Sequence, residues 1–83
     1  MSTITNETLS QRVIELAGNH IGIPKEQISL DSHFVVDLGF DSLDVAEFVM
    51  LVEEEFDIVI SDEENETIST VRDAVQAIQK AIS

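Results

Sequence analysis

The sequence has 83 residues, 17 acidic and 4 basic side chains, and a net charge of −13. That length holds one small domain, residues 1–83, and a 43% hydrophobic content is too high for a disordered tail of such charge. Four cations cannot build the basic face that phosphates demand, so neither nucleic acid nor an anionic membrane surface is expected as a partner.

The absence of cysteine removes disulfides, thiolate nucleophiles and zinc–thiolate sites, and the sequence offers no other metal-ligand pattern. The first seven residues lack the basic and apolar regions of a signal peptide, and the longest apolar run, Phe48 to Val52, is far too short for a membrane span. The expectation is a cytoplasmic monomer.

In chain order, residues 6–18 read as a helix. Asn6 suits its cap, Glu7 its first turn, and Leu9, Val13, Leu16 and Ala17 fall on one face, with Gly18-Asn19 as the stop. From Asn19 to Asp41, Ile21, Ile23, Ile28, Leu30, Phe34, Val35 and Leu38 are scattered among Gly, Pro, Ser and Asp. This predicts a long ordered loop, anchored by its apolar residues, with one helical turn after Pro24.

Residues 42–56 carry the clearest helical pattern: Val45, Phe48, Val49, Val52 and Phe56 form a core-facing stripe. Asp41 is a good cap, and Asp44, three residues on, makes an acidic relative of the capping box. Ser61-Asp62-Glu63-Glu64 fits a full capping box and predicts a short helix over about 62–66. Thr70 to Asp73 opens the last helix, whose apolar face is Val71, Ala74, Val75, Ile78 and Ile82, with Lys80 at its carboxyl end. No convincing strand pattern occurs. The sum is an all-α fold, a small four-helix bundle of three main helices and one short third helix, with a long loop between the first two.

Charge is unevenly spread. Residues 31–66 hold thirteen acids and no lysine or arginine. Folding such a block forces like charges together, a cost that makes sense if the field attracts a basic partner. Helix 42–56 also has a second apolar strip, Leu43, Ala46 and Met50, pointing away from the core stripe. Asp44, Glu47, Glu53 and Glu54 surround it, giving apolar anchors inside a charged rim. Packing of Leu43 and Met50 beneath the long loop accounts for the same spacing equally well. Ser42, at the helix start, reads by itself as a cap. No nucleophile elbow surrounds it, and His20 and His33, read as loop residues, are not placed beside it, so a serine hydrolase is disfavoured. The acids lack the spacing of an EF-hand.

Phe34-Val35-Val36-Asp37-Leu38-Gly39-Phe40-Asp41-Ser42-Leu43-Asp44 resembles the modification motif of acyl carrier proteins. The likeness continues through Glu47 to Phe56, then Ile60 to Glu64, and ends at Ile68 to Val71, spanning about residues 7–80. The resemblance implies that Ser42 is esterified by 4′-phosphopantetheine, delivered from coenzyme A by a phosphopantetheinyl transferase (holo-synthase). It implies a non-catalytic carrier of acyl thioesters serving acyltransferases, ketosynthases and other fatty-acid-synthesis enzymes with basic patches. Asp41, Asp44, Glu47, Glu53 and Glu54 would then steer docking, and Leu43 and Met50 would supply apolar contact. The acyl chain would fold into a pocket lined by Phe34, Val49, Val52, Phe56, Ile60, Ile68 and Val75.

Four positions depart from the family pattern. Phe40 stands where fatty-acid carriers commonly have a small residue, Val36 where an acid is frequent, Ser61 where proline is frequent, and Asn65 where a small apolar residue is usual. Phe40 keeps open a carrier for a specialised polyketide, modified-lipid or aminoacyl pathway. The run Glu53-Glu54-Glu55 favours a free-standing fatty-acid carrier.

Overall fold

The computed structural model describes residues 6–82, with side chains from Thr8 onward. Four α-helices run α1 (Asn6–Ile21), α2 (Ser42–Phe56), α3 (Asp62–Thr67) and α4 (Val71–Ile82), and a single 3-10 turn at Lys25–Gln27 follows Pro24. There is no strand among the described residues, only an isolated bridge between His33 and Thr70. The fold is the expected small all-α bundle. The roles expected of the Asn6 and Glu7 side chains lie outside the described residues.

The helical stripes meet as their periodicity requires, except at Ile82, which stands 43% exposed at the end of α4 because none of the described core residues covers that last turn. Leu9, Val13 and Ala17 of α1, Phe48 and Val52 of α2, and Val71, Ala74, Val75 and Ile78 of α4 are all buried in one core. The first two helices differ in how they end. α1 runs past Gly18, the expected stop, to Ile21. The left-handed turn falls on Gly22 (φ +76°), and the Gly22 and Ile23 amides both donate to the Gly18 carbonyl, at 2.7 and 3.0 Å. Gly18 serves packing instead: a Cβ there would sit 2.6 Å from the Ile23 carbonyl oxygen, so only glycine lets the chain double back so closely. α2 ends at Asp57, which adopts the left-handed conformation (φ 55°) and donates its amide to the Glu53 carbonyl.

The long loop is ordered because α4 holds it. The first amides of a helix lack partners within the helix. Here the Val71 and Arg72 amides donate to the loop carbonyls of Ser32 and Leu30, at 3.0 and 2.9 Å, and the Phe34 amide donates to the Ser69 carbonyl at 2.9 Å. Arg72 also pairs with Asp31 at 2.9 Å. Ile28, Phe34, Leu38 and Phe40 drop from the loop into the core. Gly39 (φ +78°) completes a tight turn in which the Phe40 amide returns to the Phe34 carbonyl at 2.9 Å. That turn delivers the chain to Asp41 at the head of α2.

Candidate functional site

The start of α2 is built by a reciprocal cap. The Asp44 amide donates to Asp41 Oδ1 at 2.8 Å, and the Asp41 amide donates to Asp44 Oδ2 at 3.2 Å. Asp41, not Ser42, therefore does the capping that a serine at a helix start would ordinarily do. Ser42 occupies the first helical position, is exposed, and its hydroxyl makes no hydrogen bond to another described residue. Neither imidazole reaches it. His33 Nδ1 accepts from the Val35 and Val36 amides, each at 3.1 Å, and so stabilises the turn before the site. His20 is not a loop residue, because α1 extends to Ile21; it sits in the last turn of that helix.

The second apolar strip of α2 is on the surface. Leu43 and Met50 are 65% and 62% exposed, so neither packs beneath the loop. Ala46, Glu47 and Glu54 are exposed beside them, and Asp44 is half-buried. Glu53 differs from the other acids: its carboxylate turns inward and accepts the Ile60 amide at 2.9 Å, bracing the link from α2 to α3. Glu55 is tied to α1 through Arg12, whose Nε donates to it at 2.7 Å. This pairing holds the guanidinium pKa above its ordinary value.

An apolar cleft lies inside the bundle, lined by Phe34, Phe40, Val45, Phe48, Val49, Val52, Ile60, Ile68, Ala74 and Ile78. Its free volume, about 10 Å³, is about enough for a single water. Five of the seven expected pocket residues line it: Phe34, Val49, Val52, Ile60 and Ile68. Val75 is buried on a neighbouring part of α4, and Phe56 lies in a shallow groove with Leu9 and Arg12 of α1. Sequence reading missed Phe40 and Phe48 as cleft residues. Their rings pack on Phe34 and on each other, with centroids 5.2 to 5.8 Å apart, and Phe40 is 2% exposed. Asn65 does not line the cleft; its Oδ1 is buried without a hydrogen-bond partner.

The starts of α3 and α4 are also capped. Ser61 Oγ accepts from the Glu64 amide at 3.2 Å, but the Glu64 carboxylate accepts from the Ser61 hydroxyl at 3.3 Å rather than from its backbone, so only half of the expected box forms. At α4, Thr70 Oγ1 accepts from the Asp73 amide at 3.2 Å, and Asp73 Oδ2 accepts from the Ser69 and Thr70 amides. Those two amides pull the Asp73 pKa below its ordinary value. Among the described residues, no helix is long and apolar enough to cross a membrane.

A bundle that presents an unengaged serine at the head of an acidic helix has the form of a carrier domain. Residues 11–78 match the family described as "Phosphopantetheine attachment site". The chain is also 52% identical, over 75 residues, to an acyl carrier protein from Cyanidium caldarium, an alignment covering 90% of this chain and 87% of that one. The chain belongs to the acyl carrier protein family, whose prosthetic group is a covalently attached 4′-phosphopantetheine. The residues present suit such a group. The chain has no thiol of its own, and a free hydroxyl stands at a helix amino terminus, where the amides favour an attached phosphate.

Proposed function

We propose that Ser42 is the attachment point and that residues 1–83 act as a single, non-catalytic acyl carrier domain for fatty-acid synthesis. One observation carries this reading: Asp41 takes over the cap, so the Ser42 hydroxyl is exposed and uncommitted at the first turn of α2. A phosphopantetheinyl transferase needs an accessible hydroxyl, and this one can be esterified without loss of any bond within the fold. When bound, the prosthetic group supplies the thiol on which acyl groups ride as thioesters. The chain tethers its cargo, which raises the effective concentration at a docked enzyme.

The exposed strip of Leu43, Ala46 and Met50 fits the apolar centre of a docking face, and Asp41, Asp44, Glu47 and Glu54 fit its steering rim. Glu53 contributes charge from a fixed position, since its carboxylate is bound to Ile60. Basic surfaces on acyltransferases, ketosynthases and the transferase complement that rim. Docking of this kind is fast, salt-sensitive and reversible, as a shuttle requires. An acyl chain would enter the apolar cleft by displacing the rings of Phe34, Phe40 and Phe48, because the space there is about one water in size.

The test is direct. Coenzyme A and a phosphopantetheinyl transferase should add the mass of one arm to the full chain, and Ser42→Ala should add none. Modification that persists in Ser42→Ala overturns the site, and an unmodified wild-type chain overturns the carrier reading.

A further inference from the structure

We infer that His20, Asp44 and Glu47 form a binding site for one divalent transition-metal ion with the ligand preferences of zinc. The site joins the carboxyl end of α1 to the first turns of α2. His20 Nε2 lies 3.5 Å from Asp44 Oδ1 and 3.7 Å from Glu47 Oε1. The three ligand atoms all fall within 4.8 Å of one another. With metal–ligand bonds near 2.0–2.1 Å, tetrahedral ligand atoms stand roughly 3.3 Å apart, so the two pairs made by His20 need to close only slightly and the carboxylate pair by at most about 1.5 Å to surround an ion.

Each ligand atom is available. His20 Nε2 is buried and has no hydrogen-bond partner, although the carboxylates are close by. A buried polar nitrogen left in that state costs stability, and a metal bond satisfies it. Phe40 packs against the imidazole, with centroids 5.7 Å apart, which limits its motion. Asp44 divides its oxygens: Oδ2 accepts the Asp41 amide in the cap, and Oδ1 faces His20. The cap thereby fixes the rotamer that presents Oδ1. Glu47 follows Asp44 by three residues on the same side of α2, and its side chain is half exposed.

The donor set selects the metal class. One imidazole nitrogen and two carboxylates suit zinc and its first-row neighbours, whereas calcium takes six to eight oxygen ligands. The open side is a shallow depression lined by His20, Glu47, Met50, Leu51 and Glu54, which leaves room for water in the remaining coordination positions. Two positive charges there also offset repulsion in a stretch, residues 31–66, that holds no lysine or arginine.

The experiment titrates zinc into the metal-free full chain by calorimetry, with excess magnesium and moderate salt present to occupy diffuse counterion sites. Nuclear magnetic resonance follows the His20 ring in parallel. The expected result is one zinc per chain, a zinc-dependent shift of the His20 resonances, and affinity lowered roughly tenfold or more by His20→Gln and by Glu47→Gln. Glu26→Gln removes the same charge from the exposed 3-10 turn and should leave affinity unchanged. Equal weakening by Glu26→Gln and Glu47→Gln would mean diffuse attraction, and undiminished binding in His20→Gln would mean a different site; either overturns the proposal. So does a wild-type chain in which His20 responds to protons alone and not to zinc. Glu47 is exposed enough that its variant reports on binding even if His20→Gln perturbs the fold. The titration needs no prosthetic group, so its outcome is independent of the Ser42 test.

Discussion

At the start of α2, Asp41 and Asp44 cap each other across three residues; at the start of α4, Thr70 and Asp73 do the same. The surroundings differ. The residue after the α4 cap is Val71, which has no exposed surface, and its amide is taken by the loop carbonyl of Ser32. The residue after the α2 cap is Ser42, exposed and with its hydroxyl unengaged, followed by Leu43 in solvent. One capping device thus serves two ends. In α4 it locks a helix to the long loop. In α2 it frees a hydroxyl and an apolar side chain for another molecule. A cap supplied by the preceding carboxylate is what makes Ser42 dispensable to the fold.

The comparison is broken most severely in the core. Val71→Ala should cost about 2 kcal/mol in urea unfolding, from lost burial plus the cavity left behind. Leu43→Ala, one residue past the other cap's neighbour, should change stability by less than about 0.5 kcal/mol. An equal cost at both positions would show that the α2 start is as structural as the α4 start.

The caps themselves are predicted to cost less. Asp73→Ala should destabilise by about 1 kcal/mol at pH 7. Asp73 has a lowered pKa in the folded chain, so its contribution is present above the unfolded carboxylate pKa. It is lost as pH falls through the folded value, so the wild-type and Asp73→Ala stabilities should begin to converge below about pH 4, the ordinary carboxylate range, and meet only at lower pH. A gap that stays constant with pH would remove the carboxylate from that role.

On the open side, Glu47→Lys should slow modification by the transferase several-fold at low salt and much less at high salt, measured with a chelator present. A rate independent of ionic strength would remove the steering role. An effect of the opposite sign is expected at Asn65. Its Oδ1 is buried without a partner, so Asn65→Ala should be neutral or stabilising by up to about 1 kcal/mol in thermal unfolding.

Much of this architecture was legible because its signals are local. The stripe from Val45 to Phe56 and the pair Asp41–Asp44 lie within a few residues of each other, and α2 spans Ser42–Phe56 as their spacing implies. Glycine was harder to read. Gly18 and Gly22 are both plausible helix stops by residue type, and only the path of the chain past Ile23 shows that Gly18 is there for close contact. Phe40 gave no periodic signal, since it comes from a loop, yet it is among the most buried side chains.

The sequence by itself determined where the helices lie, the caps that open α2, α3 and α4, the acidic stretch and the serine motif, because helical periodicity and capping are set by neighbours along the chain. Tertiary structure decided the rest. It turned Glu53 inward to Ile60, put Ala74 and Ile78 rather than Val75 on the cleft, and set His20 against Asp44 and Glu47. Those pairings depend on how helices cross and on the register at which they pack, quantities that no local pattern of residues specifies.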